Sequence, residues 1–192
     1  MSLPADPGTM GRVLPMTMPR LHGSLVVLRA FESGDQDLVT SVVSDALIPL
    51  ITTVPPDGDA EDVAAYIARQ RGRLQEGAGY SFAIADATSG KGVGQIGLWT
   101  REAHLGRATM GYWVAPQFRR RGYARDALAT VTTWASSFTV LHRLQLFVEP
   151  WNTGSWRAAE ACGFEREGLL RGWELVGDRY KDMYVYSRLT SA

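Results

Sequence analysis

The sequence has 192 residues, of which 45% are apolar and 21% are charged; this composition is typical of one compact globular domain and argues against a disordered chain. Twenty basic residues balance 20 acidic ones, so no net charge draws the protein to nucleic acid or to an anionic membrane. The single cysteine, Cys162, excludes an intramolecular disulfide and a cysteine-rich metal site, and it fits a reducing cytoplasmic compartment.

Residues 1–20 are rich in proline and methionine and contain no continuous apolar segment. They predict a flexible N-terminal arm rather than a secretion signal. Nowhere does the chain approach the roughly 18 to 20 uninterrupted apolar residues that a membrane-spanning helix needs, so we expect a soluble protein that does not bind membranes.

The first half of the chain predicts a strand, two helices and three further strands. An apolar run over 25–30 indicates the first strand, and a helix carrying Leu38, Val42 and Val43 should follow and end by Pro49. Helical spacing of apolar residues predicts a second helix over 59–76. The predicted strands are 80–85, 93–100 and 108–114, and the short polar turns between them favour an antiparallel meander.

The second half predicts two helices and three strands. The helices cover 123–138 and 153–162, with a short strand at 144–148 between them and two closing strands near 165–175 and 180–188. Strand 108–114, the loop after it, the helix and strand 144–148 make one βαβ unit. The sequence therefore predicts a single α/β domain with a mixed sheet over residues 21–190.

The loop 119–124 is a candidate anion site. Three arginines and Gly122 stand between a strand and the first turn of a helix, where main-chain N–H groups have no partners within the helix and the helix dipole adds positive charge. Glycine at 122 would let the main chain approach a phosphate closely. By itself this pattern is also compatible with a solvated surface loop or with a site for another polyanion.

Two sequence blocks resemble the GCN5-related N-acetyltransferase (GNAT) superfamily. The stretch 111–124, Gly-Tyr-Trp-Val-Ala-Pro-Gln-Phe-Arg-Arg-Arg-Gly-Tyr-Ala, resembles its acyl-CoA pyrophosphate loop, and Asn152 and Ser155, followed by Gly163 and Phe164, resemble a second block. The segments 168–172 and 177–182 also resemble the C-terminal hairpin of the RimJ/RimL-like branch, which acetylates the N-termini of ribosomal proteins.

This resemblance implies the GNAT fold, an α+β mixed sheet that is mostly antiparallel, with about four helices and two splayed parallel strands near 108–114 and 143–148. It also implies direct transfer of an acetyl or other acyl group from acyl-CoA to a primary amine of a protein N-terminus or small molecule, without a metal or nucleic acid. A homodimer is compatible with it. The residues that would bind acetyl-CoA are Trp113, Val114, Arg119, Arg120, Arg121, Gly122, Tyr123, Ala124, Asn152 and Ser155.

The resemblance also suggests catalytic groups. The main-chain N–H of Val114 would stabilise the oxyanion and Ser155 would give a proton to the leaving thiolate, with Tyr184 and Tyr186 as alternatives. Many relatives carry a glutamate base where this chain has Thr109, and threonine is no base near neutral pH. Glu149, a water chain or, less favourably, Asp182 could replace it.

Several features admit other interpretations. The Gly-x-Gly-x-x-Gly pattern at 92–97 runs into a strand rather than a helix, which argues against a dinucleotide site. Cys162 is expected to be buried rather than a nucleophile. Side chains that could edge the acceptor site are His104, Trp99, Trp151 and Trp173. Loss of the base at Thr109 also leaves a catalytically impaired acyl-CoA sensor as an alternative function.

Overall fold

The computed structural model describes residues 13–190. In this range the strands are β1 Leu21–His22, β2 Val26–Arg29, β3 Gly79–Asp86, β4 Gly92–Trp99, β5 Arg107–Val114, β6 Arg143–Val148, β7 Glu165–Val176 and β8 Arg179–Leu189. The α-helices are α1 Gln36–Thr40, α2 Ile48–Ile51, α3 Ala60–Gly72, α4 Tyr123–Ala135 and α5 Thr153–Ala161.

All eight strands form one sheet in the order β1-β2-β3-β4-β5-β6-β8-β7. Neighbouring strands are antiparallel except β5 and β6, which are parallel and joined through α4. The predicted meander of β3, β4 and β5, the βαβ unit and the mixed single-domain sheet are therefore confirmed.

The parallel pair β5–β6 opens along its length. The strands are paired from Arg107 with Arg143 to Thr109 with Gln145, and their later residues are not paired with each other. Met110–Val114 stays paired with β4, while β6 stays paired with β8. The sheet thus splays between β5 and β6, as the resemblance implied, and a wedge-shaped gap separates the ends of the two strands.

Alternation of side chains along the strands divides the core between the two faces of the sheet. On one face, Phe82 and Ile84 of β3 pack with the buried side of α4. On the other face, Ala83 of β3 and Trp113 of β5 pack with α1 and α3, including the fully buried Tyr66. Both parts of the core reach the gap between β5 and β6, because β5 contributes side chains to each of them.

The segment between β2 and α3 differs from its prediction. In place of one helix up to Pro49 there are two short ones, and Val42 and Val43 lie in the turn after α1. Pro49 stands in the first turn of α2, where a missing N–H costs little. The Asp45 carboxylate accepts hydrogen bonds from the N–H groups of Leu47 and Ile48 (2.9 and 2.8 Å) and so caps this turn.

The chain before β1 lies against the core where it is described. Leu14 and Met18 pack on the α4 face, and the Tyr80 hydroxyl donates to the Pro15 carbonyl at 2.6 Å. Residues 1–12, which make up most of the predicted N-terminal arm, lie outside the described range.

Candidate active site between the splayed strands

The last residues of β5 present main-chain groups to the gap. Ala115 N–H donates to Val93 O of β4 at 3.0 Å. Because successive residues of a strand point their N–H groups to opposite sides, the N–H of Val114 faces the gap. The Val114 carbonyl accepts from Arg119 Nε at 3.0 Å. The Val114 N–H, which the sequence predicted as the oxyanion donor, therefore points into the gap between the strands.

A cavity of about 570 Å³, the arginine-loop cavity, lies between the start of α4 and the start of α5. Its lining includes nine of the ten predicted cofactor-binding residues, together with Arg125 and Ala158. Gly122 precedes α4 with φ +87°, a left-handed conformation that glycine adopts without strain. No described side chain caps this helix, so its first N–H groups are available to a ligand.

The three loop arginines have different positions. Besides contacting Val114, Arg119 forms an ion pair with Asp45 Oδ2 at 3.3 Å, which ties the loop to the turn before α2. Arg120, with φ +61°, lines the cavity. The Arg121 guanidinium lies 5.8 Å from the Phe118 ring centroid, and this residue, predicted to bind the cofactor, does not line the cavity.

The Asp45 carboxylate is held in its charged form. Burial by itself would raise its pKa, but the N–H groups of Ile48 and Leu47 and the Arg119 guanidinium outweigh that effect and lower it. The anchor of the arginine loop is therefore charged near neutral pH.

Two further carboxylates fix the start of α4. The Tyr123 hydroxyl donates to Asp86 Oδ2 at 2.7 Å, and hydrogen bonds from Ser89 and Tyr123 lower the pKa of Asp86 to about 2. The Asp126 carboxylate accepts from three successive main-chain N–H groups that lead into β2, those of residues 24–26. Tyr123 thus lines the cavity with its hydroxyl already engaged.

Tyr112 and Ser155 line both this cavity and the second one described below. Asn152 caps α5 by accepting from the Ser155 N–H at 3.2 Å, as the sequence predicted. The Tyr112 hydroxyl lies 3.0 Å from Ser155 Oγ and 3.1 Å from the Ser155 carbonyl oxygen. Burial raises the pKa of Tyr112 to about 12, so this hydroxyl remains protonated and able to donate.

The second cavity, of about 600 Å³, is the Trp99 cavity. Trp99 lies flat on the sheet because its neighbours Gly97 and Gly111, paired across β4 and β5, have no side chains. A Cβ at Gly97 would come within 2.3 Å of the indole ring. The Arg73 guanidinium lies 5.8 Å from the centroid of the same ring. Arg101 and Thr109 complete this end of the cavity.

Two carboxylates line the other part of the Trp99 cavity. Glu149 follows the end of β6, and its Oε2 accepts from Trp151 Nε1 at 2.7 Å. Glu174 of β7 is the second. Burial, and then the charge of Glu149, raise the pKa of Glu174. Neither carboxylate lies at the level of Thr109, which pairs with Gln145, four residues before Glu149.

A buried polar network supports the wall between the cavities. Gln95 Oε1 accepts from Trp113 Nε1 (2.7 Å) and from the Tyr66 hydroxyl (2.5 Å). The Gln95 amide donates to Gln70 and Ser81. With the Gln95 oxygen and amide both engaged, the Trp113 ring has a fixed orientation.

Besides Arg121, six residues that the sequence analysis considered do not line either cavity: His104, Cys162, Trp173, Asp182, Tyr184 and Tyr186. The Tyr186 hydroxyl donates to Glu160, Asp182 accepts from the Gly172 N–H, and Trp173 stacks on Phe147. Cys162 is buried as expected, and residues 92–97 lie in β4.

Several lining residues were not singled out from the sequence. Tyr112 stands two positions before Val114 and so shares its face of β5, a signal that strand alternation offered. Three charged residues, Arg73, Arg101 and Glu174, come from the end of α3, the turn after β4 and β7. Nothing local distinguishes them from solvated surface charges.

An uncapped helix N-terminus beside two splayed parallel strands has a geometry suited to a phosphate-bearing ligand. Residues 26–165 match the acetyltransferase (GNAT) domain family; the chain belongs to this family, as its motifs predicted. Within residues 13–190 no helix is long and apolar enough to cross a bilayer, and no three His, Cys, Asp or Glu side chains are grouped to hold a metal.

Individual proteins that resemble this chain are also acetyltransferases by name. The uncharacterized N-acetyltransferase p20 of Bacillus licheniformis is 27% identical over 172 residues, 90% of this chain and 97% of the relative. The structure of RimL, the ribosomal L7/L12 α-N-protein acetyltransferase, in complex with coenzyme A superposes with TM-score 0.76 at 18% identity, covering 89% of this chain and 98% of that one. The structure of Mycobacterium smegmatis RimJ in complex with CoA-disulfide superposes with TM-score 0.75 at 23% identity, covering 90% of this chain and 86% of that one. The predicted likeness to the RimJ/RimL branch is thus confirmed, and at these identities it shows a shared fold.

Proposed function

We propose that the protein transfers an acetyl group from acetyl-CoA directly to a primary amine of a protein N-terminus or a small molecule. The observation that carries the proposal is the meeting of two cavities at the hydroxyl pair of Tyr112 and Ser155, beside the Val114 N–H. The arginine-loop cavity contains an uncapped helix N-terminus, and the Trp99 cavity contains the carboxylates of Glu149 and Glu174. The arrangement therefore supports a co-substrate and an acceptor that meet inside the sheet.

The residues of the arginine-loop cavity fit a phosphate-bearing co-substrate. The main-chain N–H groups at the start of α4, with Arg120 and Arg125 beside them, would hold the pyrophosphate. Arg119 would hold the loop in position rather than bind the pyrophosphate, since its guanidinium already contacts the Val114 carbonyl and the Asp45 carboxylate. When bound, acetyl-CoA supplies an activated acyl group as a thioester.

Groups of the protein would assist each step of the acyl transfer. The amine nitrogen bonds to the thioester carbonyl carbon as the carbon–sulfur bond breaks, and the Val114 N–H stabilises the negative charge on the carbonyl oxygen. The thiolate takes its proton from the pair of Tyr112 and Ser155. The proton lost by the amine goes to Glu149, or to Glu174 beside it, directly or through water.

Two measurements test the proposal. A shift in the melting temperature with acetyl-CoA, and none with single-stranded DNA or heparin, is expected if the arginine loop binds the co-substrate rather than a general polyanion. Release of the CoA thiol should then depend on an added amine in a panel of peptides, amino acids and polyamines. Binding of acetyl-CoA without thiol release for any amine would leave the sensor function in place of the enzyme.

A further inference from the structure

We propose that the acceptor carries an anionic group in addition to its reacting amine, and that Arg73, assisted by Arg101, binds this group at the Trp99 end of the Trp99 cavity. The inference rests on the proposed acyl transfer and names a class of acceptor for it. It begins from an arginine whose charge has no described partner.

Arg73 follows the last turn of α3 and lines the cavity. Its Nε is buried without a hydrogen-bond partner among residues 13–190, and no ion pair involves its guanidinium in that range. An arginine keeps its charge in proteins, and donors left without partners are costly when buried. A ligand with acceptor oxygens would remove that cost.

Arg69, one helical turn earlier, provides an internal comparison. Its Nε is also buried without a described partner, but its Nη2 donates to the Thr53 carbonyl at 2.6 Å, and it does not line the cavity. The same residue type on the same side of α3 is thus anchored by the protein in one case and directed to the cavity in the other.

The position of the Arg73 guanidinium is set by the sheet beneath it. Gly97 and Gly111 let Trp99 lie flat, and the guanidinium packs over the exposed side of that ring. Stacking on an aromatic face leaves the donors at the edge of a guanidinium free for a carboxylate or phosphate. Arg101 lines the same end and adds a second positive charge.

The charges of the Trp99 cavity are separated. Its two acidic residues are Glu149 and Glu174, whereas its two arginines lie near Trp99. Trp99 pairs with Thr109, and Thr109 pairs with Gln145. Glu149 stands four residues beyond Gln145, about 13 Å along a strand, and the Trp99 ring, which lies over Gly97 and Gly111, spans about half of that offset. The guanidinium groups and the carboxylates therefore come from different elements and stand at different levels of the cavity, which favours an acceptor whose anionic group is separated from its amine.

The acceptor class that fits is an amine with a remote anionic group, such as a peptide N-terminus followed by an acidic side chain or an amine with a carboxylate tail. The matched probes are the tripeptide amides Ser-Ala-Asp and Ser-Ala-Asn, and ε-aminocaproate with ε-aminocaproamide. In each pair the two compounds have the same shape and differ in charge.

Thiol release should give kcat/KM at least about tenfold higher for the anionic member of each pair, as expected for one charge-assisted hydrogen-bond pair. Arg73→Gln should bring the ratio within each pair close to one, Arg73→Lys should keep part of it, and Arg101→Gln should reduce it less. The control is Arg71→Gln, which changes an exposed arginine on the same helix.

A wild-type ratio at or below one, or a preference for a polyamine such as spermidine, would overturn the proposal. So would an Arg73→Gln variant that lowers kcat/KM for both members of a pair equally, because a purely structural role predicts that result. A fold check by acetyl-CoA thermal shift accompanies each variant. Absence of thiol release with every amine would instead count against the acyl transfer itself.

Discussion

The two cavities that meet at Tyr112 and Ser155 are built from different parts of the polypeptide. Half of the residues that line the arginine-loop cavity come from one continuous stretch, 112–125, and this stretch includes the main-chain N–H groups at the start of α4. The Trp99 cavity takes charged and aromatic side chains from α3, β7 and the ends of β4 and β6, which are far apart in sequence.

The two cavities should therefore respond differently to mutation. A site made of main-chain groups tolerates most side-chain changes but depends on backbone conformation. A site made of side chains depends on each contributing residue and on the packing that orients it. Mutations at the junction of the two cavities, and then in each cavity, can test this difference.

The largest effect is expected at the carboxylates. Replacing the group that accepts the amine's proton should lower kcat/KM by about 10²-fold or more. If Glu174 is that group, activity should rise with pH through its raised pKa, and Glu149→Gln should move this acidic limb to lower pH because a neighbouring negative charge is lost. Loss of activity in Glu149→Gln would assign Glu149 instead. The control is Glu165→Gln, an exposed acid on β7.

At the junction, Tyr112→Phe and Ser155→Ala should each lower kcat by about 10²-fold, since the two hydroxyls form one donor pair. The double variant should lose little more than the more damaging single one. Rapid-quench or steady-state thiol release measures this, with acetyl-CoA affinity expected to remain. Full activity in both single variants would remove the pair from the mechanism.

In the arginine-loop cavity, Gly122→Ala should weaken acetyl-CoA binding by about tenfold, because a Cβ at φ +87° costs roughly 1–2 kcal/mol. The added Cβ would also press on Leu25, 3.1 Å away. Titration calorimetry measures the affinity. Gly77→Ala is the control, since Gly77 has φ +70° but lies outside both cavities.

In the Trp99 cavity, Gly97→Ala should displace the Trp99 ring and raise the acceptor KM severalfold while leaving the acetyl-CoA Kd unchanged. Overpacking of this kind costs about 1–3 kcal/mol of unfolding free energy, which chemical denaturation would show. A Cβ at Gly168, also on a strand, has open space, so Gly168→Ala serves as the control. If Gly97→Ala weakened acetyl-CoA binding as much as it raised the acceptor KM, the two cavities would not be independent.

The smallest effect is expected for Asp45→Asn, which keeps an oxygen to cap α2 but removes the charge facing Arg119. An ion pair of this exposure contributes about 0.2–1 kcal/mol, so acetyl-CoA affinity should fall at most a few-fold. Because the pKa of Asp45 is lowered, its contribution is present above the ordinary aspartate pKa of about 3.9 and is lost as pH falls through the lowered value. The exposed pair of Glu102 and Arg107 supplies the control, Glu102→Gln.

The elements that depend on local periodicity and turns follow from the amino-acid sequence. The meander, the βαβ unit, the cap at Asn152 and the arginine loop before α4 were all predicted, because each is encoded within a few neighbouring residues. The early end of α1 and the separate helix α2, which contains Pro49, escaped prediction, since the cap provided by Asp45 depends on side-chain geometry rather than on spacing.

The contacts between charged and aromatic side chains could not be predicted, because they depend on the folded arrangement of distant segments. This arrangement directs Arg119 to Val114 and Asp45, places the Tyr112 hydroxyl against Ser155, and brings Arg73 over Trp99 on a floor of two glycines. These contacts join elements that are far apart along the chain, and the order and register of the strands create them. The arginine loop could be predicted because its residues belong to one backbone segment, whereas both cavities bring together segments that are far apart in sequence and exist only once the sheet has formed.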